Sequence, residues 1–202
     1  GAGMLWVGWF GFNAGSALAA DGAAGHAMLV THLGASAGCF AWMCMEWIRF
    51  GKPSVLGIVT GMVAGLGSIT PASGFVGPAG ALVIGLSAGV ICFLATMWVK
   101  RVLVIDDSLD VMPVHGVGGI LGLMMTAFLS SNLGGLGLAD GVTVWGQFIV
   151  QLCGITATIV WCGLVSFVLL KILDVTMGLR VSEDQETEGL DIVLHEERGY
   201  NL

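Results

Sequence analysis

The sequence predicts an all-α fold, a polytopic membrane helix bundle, and three observations predict it. Hydrophobic residues make up 56% of the 202 residues and charged residues only 10%, against about 25% charged in an ordinary soluble domain. The mean hydropathy is +0.92. So few charges could not cover the surface of a soluble fold of this length, so lipid must be the solvent for most of the chain. Finally, the apolar residues gather in long runs without the alternation of a closed barrel, which leaves helices as the spanning structure.

Six apolar segments follow in order, at residues 4–20, 26–48, 55–75, 78–99, 111–131 and 142–173. Each is close to or above the roughly 20 residues needed to cross a hydrocarbon core. The last is longer than a span requires and must tilt, bend or project from the bilayer. Residues 1–174 therefore read as a transmembrane bundle of six spanning helices, and residues 175–202 as a polar tail. Gly1 opens directly into apolar sequence, with neither an initiator Met nor a signal peptide, so the chain reads as the back part of something longer.

The basic residues fix the expected topology. Lys and Arg occur only at Arg49, Lys52, Lys100, Arg101, Lys171, Arg180 and Arg198. With six crossings these all fall on the side of Gly1 and the tail, while the loops around Asp21, Ser73 and Asp140 carry none. By the positive-inside rule the tail is cytoplasmic, and the protein is multi-pass in the cell (plasma or inner) membrane.

Glycine recurs at helical spacing, as Gly11/Gly15, Gly34/Gly38, Gly57/Gly61/Gly65, Gly85/Gly89 and Gly118/Gly122. Glycine in a helix costs about 1 kcal/mol relative to alanine. The usual return is close backbone approach between helices that have no hydrophobic drive to associate in lipid. The five cysteines, Cys39, Cys44, Cys92, Cys153 and Cys162, all lie in apolar stretches without a C-x-x-C pair and read as small packing residues. No short repeat of fixed period is visible, which excludes a solenoid.

Ionisable groups at bilayer depth mark pathways. His115, in VMPVHGVGGILG, lies a little more than one turn inside the fifth segment. On position alone, a pathway role and a structural hydrogen bond to a neighbouring helix serve equally well. His26 and His32 are six residues apart, about 240° around a helix, and so cannot jointly hold a metal; structural or interfacial roles suffice for both. Glu46 beside Arg49 reads as a solvated or snorkelling pair at a membrane end. In WFGFNAGS, Trp9, Phe12 and Ser16 share one helical face that ends in a hydroxyl. Such a stripe is usually packing, yet aromatic faces with a hydroxyl acceptor also suit a small cation losing its water.

Four stretches, LWVGWFGFNAGSAL, FGKPSVLGIVTGMVAGLGSITPASGFVGP, GALVIGLSAGV and IDDSLDVMPVHGVGGILG, closely resemble the ammonium transporter (Amt/Mep) family, as does the tail LRVSEDQETEGLDIVLHEERGYN. The resemblance covers essentially the whole chain. It implies the second half of an eleven-helix inverted-repeat fold, helices six to eleven, in a homotrimer with one pore per subunit. It implies that Ser16 is the hydroxyl of an outer ammonium-binding vestibule, Phe12 one of two stacked phenyl rings below it, and Trp9 a pore-lining residue farther in. His115 becomes the second member of a mid-pore histidine pair. Asp106, Asp107 and Asp110 belong to the cytoplasmic mouth of the same helix, with Asp110 capping or ordering it. Met112-Pro113 stands where Phe-Gly is expected before the VHG motif; a proline in the first turn is absorbed by the helix start.

The function so implied is transmembrane ammonium/ammonia transport, with no enzymatic activity, cofactor, metal or nucleic-acid partner. A PII-type regulatory protein is implied at the cytoplasmic face. The family's first pore histidine, other phenyl ring, vestibule tryptophan and buried aspartate lie in its first half, so this chain alone cannot enclose a pore. Rival readings are an ammonium sensor signalling through the tail, a Rh-type gas channel, and a redox enzyme using His115 as a haem or metal ligand. The last needs histidines facing each other at matched depth, which the other histidines do not supply. The tail's acidic residues, Glu183 to Glu197 against Arg198, would suit a solvated end. Leu190, Ile192 and Val193 argue instead for an ordered one, and Val193 removes the tail threonine that plant relatives phosphorylate.

Overall fold

Where Asp21, Ser54 and Ser182 each precede a helix, the polar side chain satisfies free backbone amides. The computed structural model describes residues 1–199; residues 200–202, the last of the predicted tail, lie outside the described residues. The helices are α1 (Ala2–Gly15), α2 (Gly22–Phe50), α3 (Val55–Ile69), α4 (Pro78–Arg101), α5 (Gly118–Leu129), α6 (Val144–Thr176), α7 (Glu183–Glu188) and α8 (Leu190–His195). The Asp21 carboxylate caps α2 by accepting from the Ala23 and Ala24 amides, and Gly51 closes it in the left-handed conformation (φ 78°). Ser54 caps α3, and Pro78 opens α4 in the first turn, where its missing N–H costs nothing. A 3-10 turn, Thr70–Ala72, extends α3. No strand occurs among the described residues.

Among the described residues, five helical stretches are long and apolar enough to cross a membrane: α2, α3 with its 3-10 turn, α4, the stretch Met112–Leu129 that contains α5, and α6. The first expected span falls short of that. Helix α1 stops at Gly15, five residues before the predicted end, and its 14 residues rise about 21 Å. Ala17 to Asp21 form turns in which Leu18 adopts a positive φ of 60°.

The chain divides into two units, residues 1–153 and 154–202. In the first, α2, α3 and α4 pack against one another around three clusters of buried side chains, such as Val30, Ile69, Ala72, Val76 and Ile84. Helix α1 lies on α2 and α3 through Trp6 and Trp9, which pack on Ala35, Met62 and Leu66. Small residues allow this packing. A Cβ at Gly38 would lie 2.6 Å from the Gly61 carbonyl oxygen and 2.8 Å from Gly65 Cα, so α2 and α3 touch backbone to backbone. A Cβ at Gly122 would run into the Ser68 carbonyl. The glycine expectation therefore holds for the pairs on α2 to α5. Gly11 and Gly15 depart from it: no atom lies within 4 Å of a Cβ built at either.

Opposite ends of this unit differ in character. Alternating helix directions bring the loops at Asp21, Ser73 and Leu136 to one end, where Leu136 donates its amide to the Phe75 carbonyl. Arg49, Lys52, Lys100 and Arg101 lie at the other, as the loop arithmetic predicted. Glu46 departs from the expected pairing with Arg49. Its carboxylate accepts from the Ser54 amide (2.6 Å) and hydroxyl (3.1 Å), closing the α2–α3 loop, because Ser54 is brought back over it by the tight turn at Gly51. Cys92 is buried and Cys39 and Cys44 half-buried, as packing residues should be, but Cys153 and Cys162 are exposed on α6.

In the second unit the end of α6 turns at Gly178 (φ 80°) into the two short helices α7 and α8. A capping box between Ser182 and Gln185 starts α7, and Arg180 forks onto both Glu186 carboxylate oxygens at 3.0 and 3.1 Å. The described part of the tail is thus helical with local caps.

Candidate functional site

Trp9, Phe12, Ser16 and His115 fall on two elements that share one neighbour, the end of α3 with its 3-10 turn. On α1, Trp9 and Phe12 meet edge to face with centroids 6.2 Å apart, as their i, i+3 spacing requires. Trp9 is half-buried, and its indole Nε1–H donates to Thr70 Oγ1 at 2.7 Å. Thr70 in turn donates to the Leu66 carbonyl at 2.8 Å. The aromatic ring is therefore held by a two-step hydrogen-bond chain anchored in α3. Phe12 is 60% exposed, so on this chain one ring face has no cover.

Ser16 follows at the end of the same face. Its hydroxyl donates to the Phe12 carbonyl at 2.7 Å. With the proton committed to a backbone oxygen, the Oγ lone pairs remain to accept, which is the polarity an N–H cation needs. Ser16 also lines a cavity of about 360 Å³ with Asn13, His26, Thr70, Ser73 and Phe75, at the end of the unit without basic residues.

His115 sits on the second element. Residues Met112–Val117 form a π-helical turn that runs into α5, a geometry that occurs mostly as single turns and often at functional positions. Pro113 is buried in the first turn, so the helix start absorbs it as expected. His115 is exposed on this chain, and a Cβ at Gly67 would lie 3.9 Å from its Nδ1. Gly67 is three residues before Thr70, so the ring sits against the same turn of α3 that anchors Trp9. Trp9, Phe12 and Ser16 are brought together; His115 joins them only through α3.

The expectation allowed Asp110 either to cap or to order this helix start, and the acidic residues split the two tasks. Asp107, rather than Asp110, caps the helix: its two oxygens accept from the amides of Val111 (2.9 Å) and Met112 (2.8 Å). Asp110 instead pairs with Lys100 at 2.8 Å, tying the start of this helix to the end of α4. Its φ is positive, 56°, and its carbonyl accepts the first helical bond, from the Val114 amide at 3.0 Å. Asp106 is exposed beside them in the loop. The two histidines of α2 take structural contacts. His26 Nε2 meets the Val76 carbonyl at 2.9 Å, and His32 packs on the rings of Trp6 (5.1 Å) and Phe10 (6.0 Å).

Sequence reasoning passed over two polar residues. Asn13 is buried and donates from Nδ2 to Thr31 Oγ1 at 2.9 Å, and Thr31 donates to the Ala27 carbonyl at 2.6 Å. This locks α1 to α2 beside Phe12. The signal was an amide side chain within an apolar helix, where an unpaired polar group is costly. Thr70, the hydroxyl before a proline in ITPASG, carried the equivalent signal for Trp9. No group of three or more metal-ligating side chains occurs among the described residues.

Comparison with known proteins agrees with this architecture. The family model described as Ammonium Transporter Family matches residues 1–200. A putative ammonium transporter of Methanothermobacter thermautotrophicus is 46% identical across 100% of this chain and 50% of its own length. An ammonium transporter of Aquifex aeolicus is 47% identical across 100% of this chain and 48% of its own. Among solved structures, a Sensor Amt Protein matches with TM-score 0.88 at 28% identity, over 96% of this chain and 47% of the other. Mep2 of Candida albicans matches with TM-score 0.80 at 32% identity, over 96% and 45% respectively. The chain spans about half the length of the curated relatives it matches. The bundle, the open face of α1 and these matches lead to one conclusion: the chain belongs to the ammonium transporter family.

Proposed function

We propose that the chain supplies one half of a transmembrane path for ammonium and ammonia. The observation that carries this reading is the family match over residues 1–200, the stretch in which Trp9, Phe12, Ser16 and His115 lie. The curated relatives are named transporters, which favours transport over sensing and over enzymatic chemistry.

A bare ammonium ion cannot enter an apolar tube cheaply, because desolvation disfavours the charged form. In this reading the cation first meets the Ser16 oxygen, whose lone pairs are free to accept, and the aromatic faces beside it, which offset part of the lost hydration. It then gives up its proton. Neutral ammonia passes Phe12 and Trp9 and reaches His115, which with a second histidine from the other half offers both a donor and an acceptor. The proton is handed on separately or returned. Trp9 is fixed for this role by Thr70, so its indole presents a ring face rather than a wandering N–H. At the far end Asp106, Asp107 and Asp110 form the cytoplasmic mouth, where Asp107 holds the helix start and Asp110 is neutralised by Lys100.

The whole protein is a homotrimer in the cell membrane, with residues 175–202 as a cytoplasmic tail that binds a PII-type regulator. The one-sided basic residues support the orientation, and the capped helices α7 and α8 support an ordered tail. In the full-length protein, His115→Ala should abolish ammonium uptake or change discrimination against potassium while leaving assembly intact. Wild-type uptake with wild-type selectivity would remove His115 from the mechanism.

A further inference from the structure

The hydroxyls around the cavity at the end without basic residues share one polarity. This space, about 360 Å³, lies between α1, the start of α2 and the 3-10 turn after α3, and its polar lining is Asn13, Ser16, His26, Thr70 and Ser73. Each hydroxyl donates its proton to a backbone carbonyl: Ser16 to Phe12 (2.7 Å), Thr70 to Leu66 (2.8 Å) and Ser73 to Thr70 (3.2 Å). What the hydroxyls have left are lone pairs, so they accept hydrogen bonds from whatever enters. Among the described residues no carboxylate lines the cavity, and Asp21 at the same end is committed to the Ala23 and Ala24 amides. Recognition of a cation here rests on neutral acceptors.

His26 adds an acceptor of a different kind. It is half-buried near the start of α2 and is the one ionisable side chain among the described lining residues. Its Nε2 lies 2.9 Å from the Val76 carbonyl. A carbonyl oxygen can only accept, so Nε2 carries the hydrogen, and in the neutral ring Nδ1 is left with a lone pair. Val76 is buried in the loop that leads into α4, so this single contact fixes both the tautomer and the ring orientation. An imidazole nitrogen is more basic than a hydroxyl oxygen and accepts an N–H more strongly. It is a poor ligand for a hard alkali cation, which prefers oxygen.

We propose that His26 is a second acceptor for the cation in this cavity, taking one ammonium N–H on Nδ1 while Ser16 Oγ takes another. The identity of the cation rests on the proposed transport function; the acceptor character of the cavity does not. Two acceptors of different kinds discriminate by chemistry rather than by size. An ion with several N–H donors satisfies both, whereas potassium finds a nitrogen where it prefers an oxygen. His26 is thus a specificity residue as well as a clamp between α2 and the loop before α4, and the two roles respond differently to substitution.

The test uses the purified full-length protein, with ammonium binding read as the rise in thermal midpoint in ammonium chloride over that in sodium chloride. His26→Leu removes donor and acceptor, His26→Lys keeps a donor for Val76 but cannot accept, and His26→Gln keeps both. The first two variants should bind ammonium about tenfold more weakly, the loss expected for one hydrogen bond to a charged group. His26→Gln should recover most of that affinity. In uptake, the first two should raise the apparent KM by a similar factor, with a smaller change in maximal rate and reduced discrimination against potassium. Because His26→Lys and His26→Gln both preserve the clamp, their comparison decides the matter if His26→Leu fails to fold. Full affinity in His26→Lys, or no recovery in His26→Gln, would overturn the proposal. So would a fall in maximal rate at unchanged KM, the mark of the clamp alone. A wild type that binds ammonium through His26 but takes none up would support this acceptor and overturn the transport function instead.

Discussion

Gly38→Ala is the most direct probe of how this bundle is held together. A methyl at Gly38 would lie 2.6 Å from the Gly61 carbonyl oxygen, 2.8 Å from Gly65 Cα and 2.9 Å from Gly65 N. All three are backbone atoms, so no side chain can rotate away. Ordinary contact begins near 3.4 Å, so α2 and α3 would have to part by about 0.8 Å locally. A gap of that size forfeits roughly a quarter to a half of each dispersion contact along the seam. The strain does not stop there, because a Cβ at Gly89 would lie 2.6 Å from the Gly38 carbonyl, so α4 is pressed against the same turn. Overpacking of this kind costs about 1–3 kcal/mol, and three helices meeting at one point argue for the upper end. Alanine returns about 1 kcal/mol of helix propensity. The net expectation is a loss of about 2 kcal/mol, read as a lowered thermal midpoint of the detergent-purified full-length protein. An unchanged or raised midpoint would refute backbone contact as the source of cohesion.

Three further substitutions test the site. Gly118→Ala places a methyl 2.8 Å from Ser68 Oγ and 3.2 Å from Cys92 Sγ, and should displace the π-turn that carries His115; uptake should fall severalfold and recover in Gly118→Ala/Ser68→Ala, which removes the obstructing oxygen. Thr70→Val removes the acceptor of the Trp9 indole at the cost of one hydrogen bond, about 1 kcal/mol; uptake should fall in this variant but not fall further when it is combined with Trp9→Phe. Thr31→Val leaves the buried Asn13 amide without its partner and should lower the thermal midpoint by an amount corresponding to roughly 1–3 kcal/mol, while Thr31→Ser should restore it. Deletion of the residues after Arg180 should lower transport and regulator binding without dissolving the trimer; normal transport and binding by the truncated protein would reduce the tail to a solvated end.

The membrane class and the packing logic were legible because both rest on composition and period, which a sequence carries directly. The polarity of the two ends was legible for the same reason: Arg49, Lys52, Lys100 and Arg101 fall at the ends of alternate segments or in the loops after them. The glycine spacings on α2 to α5 announced close approach, and Gly38, Gly61 and Gly65 deliver it. Gly11 and Gly15 carry the same spacing and meet nothing, since a spacing says which face is small and not what faces it. Their helix also ends early: Ala17 to Ala20 are apolar enough to continue a span, but Leu18 adopts a left-handed conformation before the Asp21 cap.

What sequence could not assign was the division of labour among neighbouring polar groups, because that depends on which backbone direction each one sits on. Asp107 and Asp110 are three residues apart and equally able to cap a helix. The chain between them turns through the positive φ of Asp110, so its side chain is carried away from the free amides toward Lys100, while both oxygens of Asp107 are left facing Val111 and Met112. Glu46 follows the same logic, reaching Ser54 rather than Arg49 because Gly51 folds the chain back over it. In each case a single left-handed residue reassigns a charge. The π-turn extends the point to His115. One extra residue in a turn rotates every later side chain on that helix relative to a regular α-helix, and after this turn a Cβ at Gly67 would lie 3.9 Å from His115 Nδ1.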